Sequence, residues 1–190
     1  YSLMRFLTEG FPKQAEVAGK VYLLNTDYRT CIRILQAMED EGLTDIEKQS
    51  VLLQLLYQKI PEDIPQAVQK GVLFLNCGET KQSEDFGRVY SFRQDDRYIF
   101  SAVDKVLRGR LSKGEMVHWW EFVAAFMEMP EDCVMSRIIY YRCRKNTGKL
   151  TKEEREVWAK NRELFELEEI QTAEEKEKYD NFMNRLGEND

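Results

Sequence analysis

The chain has 190 residues, of which 43% are hydrophobic and 33% charged, which suits one hydrophobic core and excludes a large multi-domain enzyme. Its 28 basic and 34 acidic residues give a net charge of −6, which argues against a dedicated duplex-DNA-binding protein because phosphate contacts require a basic face. Length and composition therefore predict a single domain.

The N-terminal part predicts a short β-hairpin followed by helices. Residues 14–25 favour the hairpin, with Gly19 at the first position of a type II′ turn. Thr44 and Glu47 form the pattern of a capping box, which marks the start of a helix. Three helices are predicted, over residues 27–38, 44–60 and 63–77. Each has a capping residue at its start and a glycine or proline after its end.

Helical periodicity stops at residues 79–96, which predict a surface loop or linker, and then resumes. A helix with a wide apolar face is predicted over residues 115–129. Pro130 ends it and begins another, with Glu131 and Asp132 in the first turn, where carboxylates favour a helix N-terminus. The predicted apolar face comprises Met116, Trp119, Trp120, Val123, Phe126 and Met127.

The C-terminal part is strongly acidic. A second capping box at Thr151 and Glu154 opens a charged helix, and residues 153–190 contain 13 acidic and 6 basic residues. We therefore predict a mainly α fold, bundle-like, with about six helices and the N-terminal β-hairpin. The predicted division is one helical domain, 1–160, with an N-terminal lobe 1–78, a loop 79–96 and a lobe 97–160, and an acidic helical tail, 161–190, frayed towards its end.

Few residues suit metal or membrane sites. The four cysteines form no C-x-x-C pair, which disfavours a disulfide scaffold or a zinc ribbon. His118 is the single histidine, so sites that need two imidazoles are excluded. No apolar run approaches the roughly 20 residues of a membrane-spanning helix. We expect a cytoplasmic protein without a metal or a cofactor.

The run His118-Trp119-Trp120-Glu121 is the nearest approach to a catalytic group, because an imidazole beside a carboxylate can move protons. On a helix His118 and Glu121 could touch, but the run supplies no nucleophile. A helical stripe of this width normally faces a core. We therefore expect His118 to be buried and hydrogen-bonded, and the tryptophans to lie in the core or at an interface.

The segment from Cys133 to Lys152 is basic and has no acidic residue. Tyr140 and Tyr141 lie among its cations, a combination that single-stranded nucleic-acid-binding surfaces use. The alternative to a nucleic-acid-binding surface is that the cations complement a helix C-terminus and pair with the acidic helix that follows. We favour this structural explanation. The basic residues are Arg137, Arg142, Arg144, Lys145, Lys149 and Lys152.

No pattern of a known catalytic centre is present. The chain lacks the glycine-rich phosphate-binding motifs and the G-x-S-x-G nucleophile motif. Adjacent carboxylates such as Asp95 and Asp96 diverge on a helix or strand, so they predict neither a magnesium site nor a glycosidase pair. From the residues alone, the chain is a helical interaction protein and not an enzyme.

Several motifs in order resemble the bacteriophage Gp-fifteen (Gp15) family over about residues 14–160. The strongest is the His-Trp-Trp-x-Phe box, which is followed by a Met-Pro-Glu-Asp turn and a helix that ends in an arginine. Tyr28 departs from the commoner phenylalanine, and residues 80–90 and those after 160 have no recognised counterpart. The matching segments are 19–22, 25–29, 92–102, 116–122, 129–132 and Arg142.

The resemblance implies a protein of temperate phages or prophages of Gram-positive bacteria, encoded between the major tail protein and the tape-measure protein. It implies a tail assembly chaperone in the cytoplasm of the bacterial host, which binds the tape-measure protein. Other tail proteins and a second copy of the chain are further candidate partners. A structural tail component and a single-stranded nucleic-acid-binding module are the alternatives. The signature residues, most of them expected to be buried, are His118, Trp119, Trp120, Phe122, Phe126 and Arg142.

Overall fold

The computed structural model describes residues 6–79 and 86–168. Within these residues the protein is mainly helical with one two-stranded antiparallel sheet, which confirms the predicted fold class. In this described part of the chain, seven helices have nine residues or more, where about six were predicted, and two are single turns. The elements are α1 Phe6–Glu9, β1 Gln14–Val17, β2 Lys20–Leu23, α2 Tyr28–Glu39, α3 Asp45–Leu56, α4 Ile64–Leu75, α5 Asp96–Val106, α6 Trp119–Met127, α7 Val134–Asn146, α8 Lys152–Lys160 and α9 Arg162–Phe165.

The hairpin of β1 and β2 is present, but its turn differs from the predicted one. Val17 pairs with Lys20, so Ala18 and Gly19 are the two turn residues. Both have positive φ, 49° and 72°, which defines a type I′ turn, and the predicted type II′ turn is wrong. The hairpin packs on α4, where the Ala18 amide donates a hydrogen bond to the side chain of Gln66.

The next three helices begin at the predicted capping residues. A backbone N–H of the first turn donates to the side chain of Asp27 in α2, of Thr44 in α3 and of Asp63 in α4, and the capping box at Thr44 is confirmed. α2 packs on α3, and α3 packs on α4. A Cβ added to Gly71 would lie 2.6 Å from Leu52 Cδ2, so glycine permits the close approach of α3 and α4.

α6 and α7 both begin later in the chain than predicted. α6 starts at Trp119 because His118 has extended backbone, with ψ 141°, and acts as the N-cap instead of continuing a helix from residue 115. Cys133 caps α7, so Glu131 and Asp132 precede that helix and do not form its first turn.

The apolar face of α6 also differs from the predicted stripe. Met116 lies before the helix and is 57% exposed, and Met127 at its end is 77% exposed. Phe122 and Ala125, which the predicted face left out, are buried. The later start of α6 accounts for Met116, which lies outside the helix.

The core continues through both halves of the described chain. α2 packs on α6, and α5 packs on α6 and α7. Within the predicted loop 79–96, residues 80–85 lie outside the described residues, while Ser91, Phe92 and Asp95 are buried and belong to the core. Packing continues past residue 160, since Phe165 in α9 is 3% exposed. The division into two lobes and a tail stays a prediction, and residues 169–190 of the tail lie outside the described residues.

Candidate functional site

The His-Trp-Trp box lies at the start of α6 and is buried. Arg142 is buried as well, whereas Phe126 is half-buried, so most of the signature residues are buried as expected. The box contributes four side chains that are at most 6% exposed and that we call the aromatic cluster, namely His118, Trp119, Trp120 and Phe122.

The two indoles of the aromatic cluster attach α6 to the end of α4. Trp119 Nε1–H donates to the carbonyl of Leu75, and Trp120 Nε1–H donates to the carbonyl of Phe74, each over 2.8 Å. Carbonyls in the last turn of a helix lack the partners that a continuing helix would supply. The tryptophans therefore fill a structural role, in which each buried N–H is satisfied by a helix end.

Both ring nitrogens of His118 are used by the fold. Nδ1 accepts from the Trp120 N–H over 3.1 Å, and Nε2 lies 2.9 Å from the carbonyl oxygen of Pro12. Because a carbonyl can only accept, the proton is assigned to Nε2 and the ring is neutral. Burial lowers the pKa of His118 from its ordinary value. Glu121 forms an ion pair with Arg110, so the arrangement offers no general acid–base pair.

The aromatic cluster also joins two segments that are far apart in the sequence. Two backbone hydrogen bonds, 2.7 and 3.0 Å long, connect residues 26–28 to residues 117–119 in an antiparallel bridge. The ring of Tyr28 stacks on that of Phe122, with centroids 4.9 Å apart and planes 7° from parallel. The motifs at 25–29 and 116–122, recognised separately in the sequence, therefore form one structural unit.

A buried ion pair joins α7 to the start of α5. Arg142 and Asp95 have side chains that are each 2% exposed. Nη1 of the arginine lies 2.6 Å from one carboxylate oxygen of Asp95, and Nη2 lies 3.1 Å from the other, which is bidentate geometry. A charge at this depth requires a counter-charge and hydrogen bonds on its remaining donors.

Backbone groups supply the remaining hydrogen bonds of this pair. The arginine donates to carbonyls of three residues, over 2.7 to 3.4 Å, and Asp95 accepts from one amide over 2.9 Å. The contacts tie α7 to the segment before α5 and to α9. We call the pair and its backbone partners the Asp95–Arg142 network; the partners are the carbonyls of Val89, Leu164 and Phe165 and the amide of Ser91.

Sequence reasoning found Arg142 but missed Asp95, which it treated as one of two diverging carboxylates. A signal was present. Arg142 follows Met135 and Ile138 at helical spacing, and both of these residues are fully buried. An arginine on a buried stripe indicates that a buried carboxylate lies elsewhere in the chain.

Two cations of the basic segment pair with carboxylates in α8 and at the end of α9. Arg144 Nε lies 2.8 Å from a carboxylate oxygen of Glu154, and Lys145 Nζ lies 3.6 Å from the carboxylate of Glu166. Lys145 Nζ also lies 4.4 Å from the ring centroid of Trp158. These contacts agree with the explanation that the cations pair with the acidic helix that follows.

The remaining cations form a poor nucleic-acid surface. Arg142 belongs to the buried network and cannot contact a phosphate. Tyr140 donates from its hydroxyl to Glu154 over 2.7 Å, which places a carboxylate beside the predicted stacking platform. Arg137, Lys149 and Lys152 are exposed and have no ion pair with the described residues. Three exposed cations give a weak electrostatic basis for binding a nucleic-acid strand.

A shallow apolar groove lies where α6 ends and α7 begins. Phe126, one of the lining residues, is held in place because its ring centroid lies 5.1 Å from that of Tyr90. The sequence did not predict the groove, because residues 127–133 were assigned to two helices that the structure separates by a turn. The lining residues are Phe126, Met127, Met129, Ser136 and Ile139.

The described residues contain no arrangement of metal ligands. In residues 6–79 and 86–168, no three His, Cys, Asp or Glu side chains are placed to share a metal ion. The four cysteines are free thiols. Over the same residues, no helix has the length and apolar character needed to cross a membrane. The geometry can hold segments together and present apolar side chains to a partner.

Comparison with known proteins agrees with the resemblance seen in the sequence. The family model described as Bacteriophage Gp15 protein matches residues 7–167. This match includes the aromatic cluster, the Asp95–Arg142 network and the groove. No match to the chain is found among curated proteins or solved structures. Because the family model covers most of its length, the chain belongs to the bacteriophage Gp15 protein family.

Proposed function

We propose that the protein is a phage tail assembly chaperone that binds the tape-measure protein before the tail tube polymerises around it. Membership of the bacteriophage Gp15 protein family supports a structural, tail-related phage protein and is the observation that carries the proposal. The more specific role follows from the gene position that the resemblance implies, between the major tail protein and the tape measure. The proposed site of action is the cytoplasm of the bacterial host.

The surface of the described chain suits reversible contact with an apolar helix. Most of the buried polar residues belong to the aromatic cluster or the Asp95–Arg142 network, whereas several large apolar side chains are exposed and can contact a partner helix. The net charge of −6 would help to keep a complex with an apolar protein soluble. The apolar side chains that are more than half exposed are Val21, Leu23, Ile46, Met116 and Met127.

Co-expression tests the proposal directly. The tape-measure protein would be produced alone, with this protein, and with an unrelated acidic helical protein of similar size. We expect the tape-measure protein to be soluble and to co-elute in size-exclusion chromatography only with this protein. The same column would show any self-association of the free chain. If the tape-measure protein stays insoluble beside folded chain, the chaperone proposal is wrong.

A structural component that remains in the tail is the second candidate, since family membership favours both roles equally. Quantitative mass spectrometry of purified phage particles separates them. A chaperone should be absent or far below the copy number of any tail protein. A tail component should be present at a fixed ratio to the major tail protein.

A further inference from the structure

The groove between α6 and α7 is lined by both fixed and adaptable side chains. Phe126 is held by Tyr90, with ring centroids 5.1 Å apart, and the turn into α7 is held by Ser136, whose hydroxyl donates to the carbonyl of Pro130 over 2.9 Å. Met127 is 77% exposed and Met129 is half-buried. Unbranched, polarisable methionine side chains adapt to varied apolar partners, so these two side chains can fit a helix without rearrangement of the fold.

The charged residues within the segment that lines the groove, residues 126–139, are mainly acidic. Glu128 lies between the two lining methionines, and Glu131 and Asp132 lie in the turn that joins Met129 to Ser136. All three carboxylates are exposed, and none has an ion pair within residues 6–79 and 86–168. Arg137 is the one cation between residues 126 and 139. The carboxylates are thus available to cations of a partner.

We propose that this groove binds an amphipathic helix whose apolar stripe is flanked by lysine or arginine residues. The apolar stripe would lie on Phe126, Met127 and Ile139, and the flanking cations would face Glu128, Glu131 and Asp132. Charge complementarity selects this partner, because an acidic helix would place carboxylate against carboxylate at the rim. The identification of that helix with part of the tape-measure protein rests on the proposed function.

Two synthetic peptides test the groove without the tape-measure protein. One is a fluorescein-labelled helix of about 14 leucine and lysine residues with leucines at helical spacing, and the other has glutamate at every lysine position. Fluorescence anisotropy with the full chain should show the lysine peptide binding at least about tenfold more tightly than the glutamate peptide. Added salt should weaken the binding of the lysine peptide to the chain, because it screens the attraction between the lysines and the carboxylates.

Variants locate the binding to the groove. Met127→Gln should weaken binding of the lysine peptide about three- to tenfold. The fold should be unaffected, because this side chain is mostly exposed. A triple variant with Glu128, Glu131 and Asp132 all changed to lysine reverses the charge at the rim of the groove. It should bind the glutamate peptide more tightly than the lysine peptide.

Matched controls use exposed positions away from the groove. Ile46→Gln on α3 removes a side chain that is 80% exposed, and the triple change of Glu16, Glu41 and Glu156 to lysine makes the same change in net charge. Both should leave the preference for the lysine peptide in place. If neither peptide binds, or if the control variants reduce binding as much as the groove variants do, the groove proposal is wrong.

The tape-measure co-expression then separates the two proposals. Loss of capture by Met127→Gln and by the rim reversal supports the groove as the tape-measure site. Equal capture by wild type and both variants overturns that assignment, while the chaperone function stands. If wild type fails to capture the tape-measure protein but the peptides follow the expected pattern, the groove binds such helices and the chaperone function falls.

Discussion

The aromatic cluster and the Asp95–Arg142 network have the same structural role but use different chemistry. Each joins segments distant in sequence, and each donates side-chain hydrogen bonds to backbone carbonyls. The cluster uses neutral indole and imidazole donors, whereas the network buries a full positive and a full negative charge. Removal of a neutral donor leaves one carbonyl short of a bond, but removal of one ion leaves its partner charged and buried. The two regions should therefore differ in how much free energy of unfolding depends on one side chain.

The largest effect should come from breaking the ion pair. Arg142→Met keeps most of the side-chain volume but leaves Asp95 without its counter-charge at 2% exposure. We expect the free energy of unfolding to fall by about 3–5 kcal/mol. Urea titration followed by circular dichroism would measure the change.

A double variant is the control for this prediction. Asp95→Leu combined with Arg142→Met removes both charges, so it should be clearly more stable than Arg142→Met alone. If Arg142→Met loses no more than the roughly 1–3 kcal/mol expected of the neutral cluster, the buried charge adds nothing and the network behaves like that cluster.

The neutral cluster should give an intermediate effect. Trp120→Phe keeps an aromatic ring but removes the N–H that donates to the carbonyl of Phe74 over 2.8 Å, and it leaves unfilled volume in the core. We expect a loss of about 1–3 kcal/mol in the same unfolding measurement. Trp158→Phe is the matched control, because Trp158 is half-buried on α8 and should lose less. Equal losses at both positions would contradict a special role for the cluster.

The pH dependence of the free energy of unfolding should be a smaller effect, because it arises from the protonation of one group, His118. The pKa of His118 is lowered by burial in the folded state, so the unfolded chain binds the proton more readily. Stability should therefore be full above about pH 7.5 and decrease as the pH falls through the ordinary histidine value near 6.5, by at most about 1.4 kcal/mol per pH unit. Chemical unfolding at several pH values between 5 and 8 would show the slope.

His118→Asn is the control for this slope. Asparagine can cap α6 but does not titrate, so the slope should be shallower than in wild type. Burial raises the pKa of Glu39, which titrates with the opposite sign, but that group is present in both proteins and cancels in the comparison. Identical slopes would show that His118 is not the titrating group.

The sequence predicted local features better than long-range ones. Caps such as Asp27 and Thr44 depend on residues within one turn of the chain, so their positions could be predicted from the sequence. Asp95 lies 47 residues from Arg142, and no local pattern links the two. His118 shows why the start of α6 was misplaced: its imidazole caps the helix, and histidine is not among the usual capping residues. The groove was also missed, because it depends on the turn between α6 and α7, and the sequence assigned the residues of that turn to the two helices.

The smallest expected effect is a gain in stability at the hairpin, which begins two residues after Pro12, the residue whose carbonyl accepts the hydrogen bond of His118. Ala18 has a φ of 49°, a conformation that alanine adopts with difficulty and asparagine tolerates, so Ala18→Asn should add about 0.5–1 kcal/mol. Gly19→Ala is the opposite control. An added Cβ there meets nothing within 4 Å, so any loss would come from backbone strain alone at a φ of 72°. Thermal unfolding should raise the midpoint for the first variant and lower it for the second. If both midpoints stay unchanged, the hairpin unfolds independently of the aromatic cluster, and the His118 contact with Pro12 does not couple them.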